Sequence, residues 1–574
     1  MLKYWRILAQ LVIIQTIGSH AKQNCPLYGL GYPKPNNLLN HQGIHNAAKA
    51  LDSVLGQYVD NANNTGSDRF SYSVEVFTAN EQEPLWSHYW TAKNLATMNT
   101  TGVKEIDGNT VYRIGSLTKV FTMLTFLAEV GDLCWNEPIS KYIPEIAAMV
   151  VPGRDNSHSL TSPDWGSITI GALASQVSGL MRDYSLLGEL TQSSNMSQTT
   201  AIGLPTLASF DIPPCGSNPV CNRPQFFQGL KKLPPSFSPF VTPAYSDIGY
   251  VLLGYALEKM TGKPFQRSFE DKVVKPLNLS YTFWKAPNDS LGVIPGDRKL
   301  TTWAFNMGNE SPMCLFVSFG SVRSGKSHPE INSAAMVRNT AMASACDLEL
   351  RPSVINSTYQ FATTFNKLGN IGRYSSLLAV IPDFDVGFSM VAAGEMPPSL
   401  LTDIADTLSN TYLPTLQGIA RLQANATYSG FYHSSDQKLN SSLSISVDEN
   451  HPGLGVAGWI SNGTNLMGLV VALGQNISRE YWTDIQASVR LYPTGLWDAT
   501  ASGGRRVGFK ATFEDLSLPA VANPFTTDCA TWVSVSGVAY GSQPLDEFIF
   551  DVDANGTVLA VENSALRNRL VKVS

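Results

Sequence analysis

The stretch YRIGSLTKVFT, residues 112 to 122, sets the hydroxyl of Ser116 and the ammonium of Lys119 at the mouth of an apolar run that continues as MLTFLAEV. A lysine entering a buried helix loses hydration, so its presence there calls for a surface or a chemical explanation. A strand-like VYRI feeds the segment. The helical period then puts Ser116 and Lys119 on one face, with Val120, Phe121, Leu124 and Leu127 directed inward. Taken alone, a serine at a helix start is ordinarily an N-cap, and a lysine one turn further in ordinarily reaches water. The spacing is weak evidence by itself, since Ser435-Asp436-Gln437-Lys438 repeats it inside a polar loop.

Two further segments change the balance. TPAYSDIGYVLLGYALEKMTG puts Tyr245 just ahead of another apolar helix, and FNKLGNIGRYSSLLAVIP puts Lys367 before a glycine-rich turn into a strand. A seryl hydroxyl becomes a nucleophile when a base takes its proton, and a lysine serves as that base when burial or nearby cations lower its pKa. Tyr245 is suited to relay a proton to a leaving group, and the charge of Lys367 favours a neutral Lys119 and an acidic Tyr245. No Gly-x-Ser-x-Gly elbow offers a competing nucleophile.

Ser116-x-x-Lys119, Tyr245-Ser246-Asp247 and Lys367-Leu368-Gly369, in that order, resemble the three motifs of serine β-lactamases, penicillin-binding proteins and related esterases of the peptidase S12 type. The likeness is closest to class C, with tyrosine in the second motif. GDLCWNEPISKYIPEI and ITIGALASQVSGLMRDY resemble flanking phrases of the same family, and the likeness spans roughly residues 35 to 415. It implies an α+β catalytic domain, an antiparallel sheet flanked by helices with a helical subdomain. Ser116, Lys119, Tyr245 and Lys367 take the catalytic positions, and Asp247, Gly369 and Asn370 the substrate-binding ones. The oxyanion would be held by the backbone N–H groups of Ser116 and Asn370.

Three departures bear on the substrate. Asp247 stands where the family usually has an asparagine, and an ionised carboxylate cannot donate to a substrate carbonyl and favours a protonated Lys119. Leu368 stands where a hydroxyl usually binds a substrate carboxylate. The segment between the second and third motifs is short, and FVSFGSVRSGKSHPEINSAAMV fits a pocket wall poorly. Ester or other acyl chemistry is therefore favoured over β-lactam hydrolysis, with acyl transfer to an acceptor other than water as a variant. The alternative from another class is an inactive binding glycoprotein that keeps the fold.

Outward from these motifs, 574 residues exceed one ordinary core, and 43% hydrophobic with 15% charged residues is the balance of a globular protein. A net charge of -6 without a basic cluster disfavours nucleic acid and anionic lipid as partners, leaving a small ester, amide or lactam. Residues 1–21 carry Lys3 and Arg6, a short apolar run and Ser19-His20-Ala21, which reads as a secretory signal peptide too short to span a bilayer. Sequons at Asn63, Asn99, Asn195, Asn278, Asn288, Asn356, Asn425, Asn440, Asn462, Asn476 and Asn555 agree with a secreted glycoprotein.

The seven cysteines, an odd number, include Cys215 and Cys221, spaced as a local loop staple. No Cys/His spacing suits zinc, and no metal or cofactor is expected. Strand-like pieces at both ends of residues 22–422, with helices between, imply one sheet built from the segment's two ends. From residue 423 the texture changes to short alternating runs, among them NLMGLVVAL and TWVSVSGVAY, which predict an all-β domain, a small barrel. Trp459, Trp482 and Trp497 are candidates for its core or for a ligand site. The layout as a whole resembles secreted fungal β-lactamase-like proteins.

Overall fold

The structure is a computed structural model that describes residues 22–573 except 23, 28, 62–64, 151–158, 186–188, 194–202, 217–218, 306–315, 318–348, 355–360, 437, 476–484 and 519–530. The predicted leader, all of FVSFGSVRSGKSHPEINSAAMV after its first two residues, and Trp482 lie outside the described residues. The chain divides into two compact units, one of residues 38–351 and 363–411, the other of residues 1–37, 352–362 and 412–574.

In the first unit, helix α1 (Gln42–Asp60) leads into strands β1 (Phe70–Thr78) and β2 (Trp86–Trp90). The chain returns to the sheet from Glu349, 259 positions after Trp90, as β3 (Glu349–Val354), β4 (Phe361–Ile371), β5 (Tyr374–Ile381) and β6 (Val386–Gly394). The six strands form one sheet in the order β2-β1-β6-β5-β4-β3, so the segment's two ends do build it, and β1 and β6 join them antiparallel from Phe70↔Gly394 to Thr78↔Val386. FSYSVEVFT alternates apolar and polar residues, and nearly all of β1 is buried. Its polar side chains are satisfied inside: Ser71 accepts from the backbone N–H of Ala92, Ser73 bonds Tyr112, and Glu75 accepts from the Tyr89 hydroxyl.

In the chain between β2 and β3 come helices α2 (Thr118–Val130) and α3 (Asp247–Thr261). Helix α3 is apolar almost all round, burying Ile248, Tyr250, Leu252, Leu253, Tyr255, Ala256 and Leu257, and so it sits in the core. Ser246 caps its start by accepting from the N–H of Gly249, and Gly262 ends it with φ of 69°. The core around both helices continues through Met123, Phe126, Ile139, Ile168, Leu173, Phe227 and Trp303.

Helix α4 (Leu400–Tyr428) continues through ARLQA without a break. The second unit then folds as β7 (Gly430–Ser434), β8 (Ser442–Ser446), β9 (Leu454–Ser461), α5 (Met467–Gly474), β10 (Ala487–Ala499), β11 (Arg505–Asp515), β12 (Glu547–Val552), β13 (Val558–Asn563) and β14 (Asn568–Lys572). Pairing runs β8-β7-β14-β13-β12-β11-β10-β9, and β8 also pairs with β9, which closes an eight-stranded antiparallel barrel. Closure removes the exposed edges that an open sheet would offer.

The barrel's core contains Tyr432, Leu443, Trp459, Val489, Phe509, Phe548, Phe550 and Val561, with edge-on ring pairs such as Phe509 and Phe550 at 5.1 Å. Trp459 is core, whereas Trp497 is exposed. Two runs depart from expectation. NLMGLVVAL is helical at α5, because an eight-residue apolar run buries equally well as helix or strand, and the Asn465 carboxamide captures the N–H of Met467 at 3.0 Å. TWVSVSGVAY opens as a 3₁₀ turn over Thr531–Ser534, and only Ala539–Tyr540 within it is a strand.

At the start of the described chain, Asn24 and Cys25 lie buried against the barrel. The Asn24 carboxamide and the Cys25 N–H donate to Glu514 on β11 at 2.8 Å and 3.1 Å, and the Lys22 ammonium is 3.8 Å from the same carboxylate. Cys25 is disulfide-bonded. The loop staple Cys215–Cys221 is formed, and among the described residues Cys134 is the free thiol. Among the described residues no helix is long and apolar enough to cross a membrane.

Candidate active site

Ser116 lies in a 3₁₀ turn, Gly115–Leu117, that passes directly into α2. Strand β4 packs against this turn backbone to backbone. A Cβ on Gly369 would stand 2.1 Å from the carbonyl oxygen of Ile114, and one on Gly115 would stand 2.7 Å from that of Asn370. Gly115 also has φ of 50°, in the left-handed region that glycine adopts without strain. From the next strand, the buried Ser376 hydroxyl donates to the Ile114 carbonyl at 2.7 Å. The Ser116 turn is thus held by two strands of the sheet, with the third motif's glycine at the contact.

The second motif arrives from the helical side. Its backbone is tied to the SGL turn: the N–H of Ser246 donates to the Gln176 carboxamide oxygen at 2.7 Å, its hydroxyl to Met181 O at 2.8 Å, and the N–H of Asp247 to Arg182 O at 2.7 Å. These bonds fix Tyr245 and Asp247 beside α2.

The predicted side chains converge. Lys119 Nζ donates to Ser116 Oγ at 3.3 Å and to Asp247 Oδ1 at 2.6 Å. The Tyr245 ring lies 4.8 Å from Lys119 Nζ and 5.0 Å from Lys367 Nζ, measured to the ring centroid. Lys367, on β4, is buried and donates to its neighbour's carbonyl, Leu368 O, at 2.7 Å. Ser116 and Lys119 both lie close enough to favour the Tyr245 phenolate, although neither makes a hydrogen bond of ordinary length and angle to its buried hydroxyl. The decoy at Ser435 and Lys438 is exposed.

Asp247, expected against the substrate, is instead buried beneath the lysine, and the two side chains are only 2% and 3% exposed. Burial works to lower the pKa of Lys119, but the Asp247 carboxylate and the Tyr245 hydroxyl outweigh it and hold the ammonium above the ordinary lysine range. Burial pushes the Tyr245 phenol up, against the downward pull of Lys119. The resting site therefore holds a protonated lysine and a neutral tyrosine.

Two neighbours escaped the reading of the sequence. Arg182, directly after the SGL turn, places its guanidinium 5.0 Å from the Tyr245 ring centroid. Tyr250, one turn into α3, lies 5.4 Å from Lys119 Nζ and donates to Ala174 O at 3.0 Å. The signal for both was adjacency to a motif, since helical spacing puts Tyr250 on the Asp247 face.

Residues 73–291 match the family model described as Beta-lactamase, and residues 420–574 match Beta-lactamase-like-like, C-terminal domain. The chain carries a beta-lactamase family domain and a beta-lactamase-like C-terminal domain. The first match takes in Ser116, Lys119, Tyr245 and Asp247 and ends before Lys367. Along its length this beta-lactamase-like chain is similar to a "Beta-lactamase-like protein" of Arthroderma benhamiae, 26% identical and covering 96% of both chains. It is similar too to "Probable hydrolase clz13" of Cochliobolus lunatus, 24% identical over 97% of this chain and 92% of that one. Among solved structures it aligns with an octameric penicillin-binding protein homologue from Pyrococcus abyssi, at 14% identity and a TM-score of 0.41 over 91% of this chain and 99% of that chain.

Proposed function

We propose that this chain is a secreted serine hydrolase that cleaves an ester or amide through an acyl-enzyme on Ser116. The observation that carries the reading is the convergence of Lys119, 3.3 Å from Ser116 Oγ, with the Tyr245 ring, whose centroid lies 4.8 Å from Lys119 Nζ. The names of the fungal relatives support hydrolysis, and the basic, apolar leader and the many sequons support export.

Lys119 is held as an ammonium by Asp247, so it is not the resting base. It donates to Ser116 Oγ, which leaves the serine's own proton to Tyr245 Oη. In the acylation step Oγ attacks the acyl carbon as its proton passes to Tyr245, whose phenolic proton passes to the departing oxygen or nitrogen. The Oγ–C bond forms, the bond to the leaving group breaks, and the tyrosine ends neutral. Deacylation reverses the relay: water adds to the acyl carbon and gives its proton to Tyr245, Tyr245 reprotonates Oγ, and the free acid departs. Lys119, Lys367 and Arg182, each within 5.0 Å of the ring centroid, stabilise phenolate character in transit. The N–H groups of Ser116 and Asn370 are the oxyanion donors that this reading assigns.

The test is hydrolysis of a short activated ester, together with intact mass after exposure to a fluorophosphonate probe. Wild type gains one phosphonyl adduct and turns the ester over, and Ser116→Ala does neither. Equal turnover by Ser116→Ala would remove Ser116 from the reaction.

A further inference from the structure

We propose that Arg182 binds an anionic group of the substrate and so sets a preference for acyl compounds that carry a carboxylate a few bonds from the scissile carbonyl. The inference rests on the Ser116 hydrolase reading and extends it to substrate class.

The argument is an inventory of charge around one ring. Three cations surround Tyr245 at 4.8 Å, 5.0 Å and 5.0 Å from its centroid, namely Lys119, Lys367 and Arg182. Lys119 is buried and neutralised by Asp247 at 2.6 Å, and Lys367 is buried with its ammonium on Leu368 O. Arg182 differs in both respects. It is exposed, and among the described residues its guanidinium pairs with no carboxylate; its side-chain contact is with the face of Tyr245.

The guanidinium is also positioned. Arg182 O accepts from the N–H of Asp247 at 2.7 Å, so the residue is fastened to the second motif at the backbone, and the stacked ring restricts its side chain. A planar guanidinium held in this way presents paired N–H donors to solvent, the arrangement that carboxylates bind bidentately. Lys119 and Arg182 flank the same ring, so an acyl group on Ser116 is within a short chain's reach of the guanidinium. The third motif carries Leu368 in place of a hydroxyl, and Arg182 supplies an anion contact from the opposite, helical side of the site.

The experiment compares two esters with the same leaving group and six-carbon acyl chain, para-nitrophenyl hexanoate and the mono-para-nitrophenyl ester of adipic acid. The readout is the ratio of kcat/KM, anionic over neutral, in wild type, Arg182→Gln and Arg182→Lys. The expected result is a fall of about tenfold or more in Arg182→Gln, with most of the ratio regained in Arg182→Lys, as for a lost charge-assisted contact. A ratio unchanged within about twofold in Arg182→Gln overturns the proposal. Turnover of both esters that survives Ser116→Ala would count against the nucleophile instead, and binding keeps the two failures apart. Calorimetric titration of monomethyl adipate into Ser116→Ala should show affinity that weakens about tenfold when Arg182→Gln is added. Equal affinity in the two proteins, or no binding to either, overturns the role of Arg182.

Discussion

Replacing Asp247 by asparagine probes the arrangement on which the site depends. In wild type the Lys119 ammonium is almost wholly enclosed and its carboxylate partner lies at 2.6 Å. Breaking a buried pair by removing one partner costs about 3–5 kcal/mol, because the remaining charge is left without compensation. Exposures of 2% and 3% leave little solvent to soften that figure. The cost should also depend on pH.

With Asp247 present, the folded-state pKa of Lys119 is raised above its unfolded value. That contribution to stability is complete below the unfolded pKa and is lost only as pH rises through the folded one, so it is flat across neutrality. With asparagine, burial, the largest influence on the amine, is opposed by the Tyr245 hydroxyl without the carboxylate, so the pKa falls; once it lies below the unfolded value the unfolded state binds more protons, and stability rises with pH up to that value. The gap between wild type and Asp247→Asn should therefore be widest at low pH and narrow as pH rises from about 6 to 9, read by urea denaturation. Over the same interval the variant's neutral amine becomes a usable base, and fluorophosphonate labelling of Ser116 should accelerate by up to about a hundredfold. A pH-independent destabilisation below about 1 kcal/mol, with labelling unchanged, would refute the buried ion pair as the element that fixes the protonation of Lys119.

Three further outcomes are expected. Gly369→Ala forces a methyl group to within 2.1 Å of the Ile114 carbonyl, where only backbone can yield; thermal melts should show a loss of about 1–3 kcal/mol, and Ser116 labelling should fall. Ser376→Ala removes the 2.7 Å donor to that carbonyl, which keeps the N–H of Leu117 at 3.1 Å, so urea titration should show a cost of about 0.5–1.5 kcal/mol with slower labelling, and an unaffected labelling rate would count against the turn's dependence on the sheet. Trp459→Ala empties a site that is 1% exposed in the barrel core, and about 3–5 kcal/mol should be lost from the barrel's unfolding transition.

Much of this arrangement was legible in the sequence because its chemistry is carried by residues that are costly to bury without a reason. Ser116, Lys119, Tyr245 and Lys367 stood out against apolar surroundings and meet around one ring. The effect of Asp247 on Lys119 was legible as a charge that favours the ammonium, but its burial away from the substrate was not, since an aspartate at the start of a helix serves equally as a first-turn anion, a substrate contact or a counter-ion and only packing selects among them. Arg182 went unnoticed because its role depends on the path of a turn rather than on a periodicity. The barrel followed from alternation and turn residues, whereas α5 did not, since Met467–Gly474 is apolar throughout and period cannot separate helix from strand in so short a run. The alternation of strand β1 could not show its burial on both faces, because its serines and glutamate are paired inside the protein.

The attachment of Asn24 and Cys25 to Glu514 joins groups 490 and 489 positions apart. On a ribosome that adds about 5–20 residues each second, the first of these must wait about 25–100 s for its acceptor to be made. Until then Asn24 and Cys25 lack this acceptor, while the residues that surround Ser116 are already available to one another. Synthesis of β11 through β14 thus performs two tasks together, closing the barrel and capturing Asn24 and Cys25. A nascent chain halted shortly before Glu514 would leave the segment around Asn24 open to proteases, and release of the remaining barrel strands would hide it.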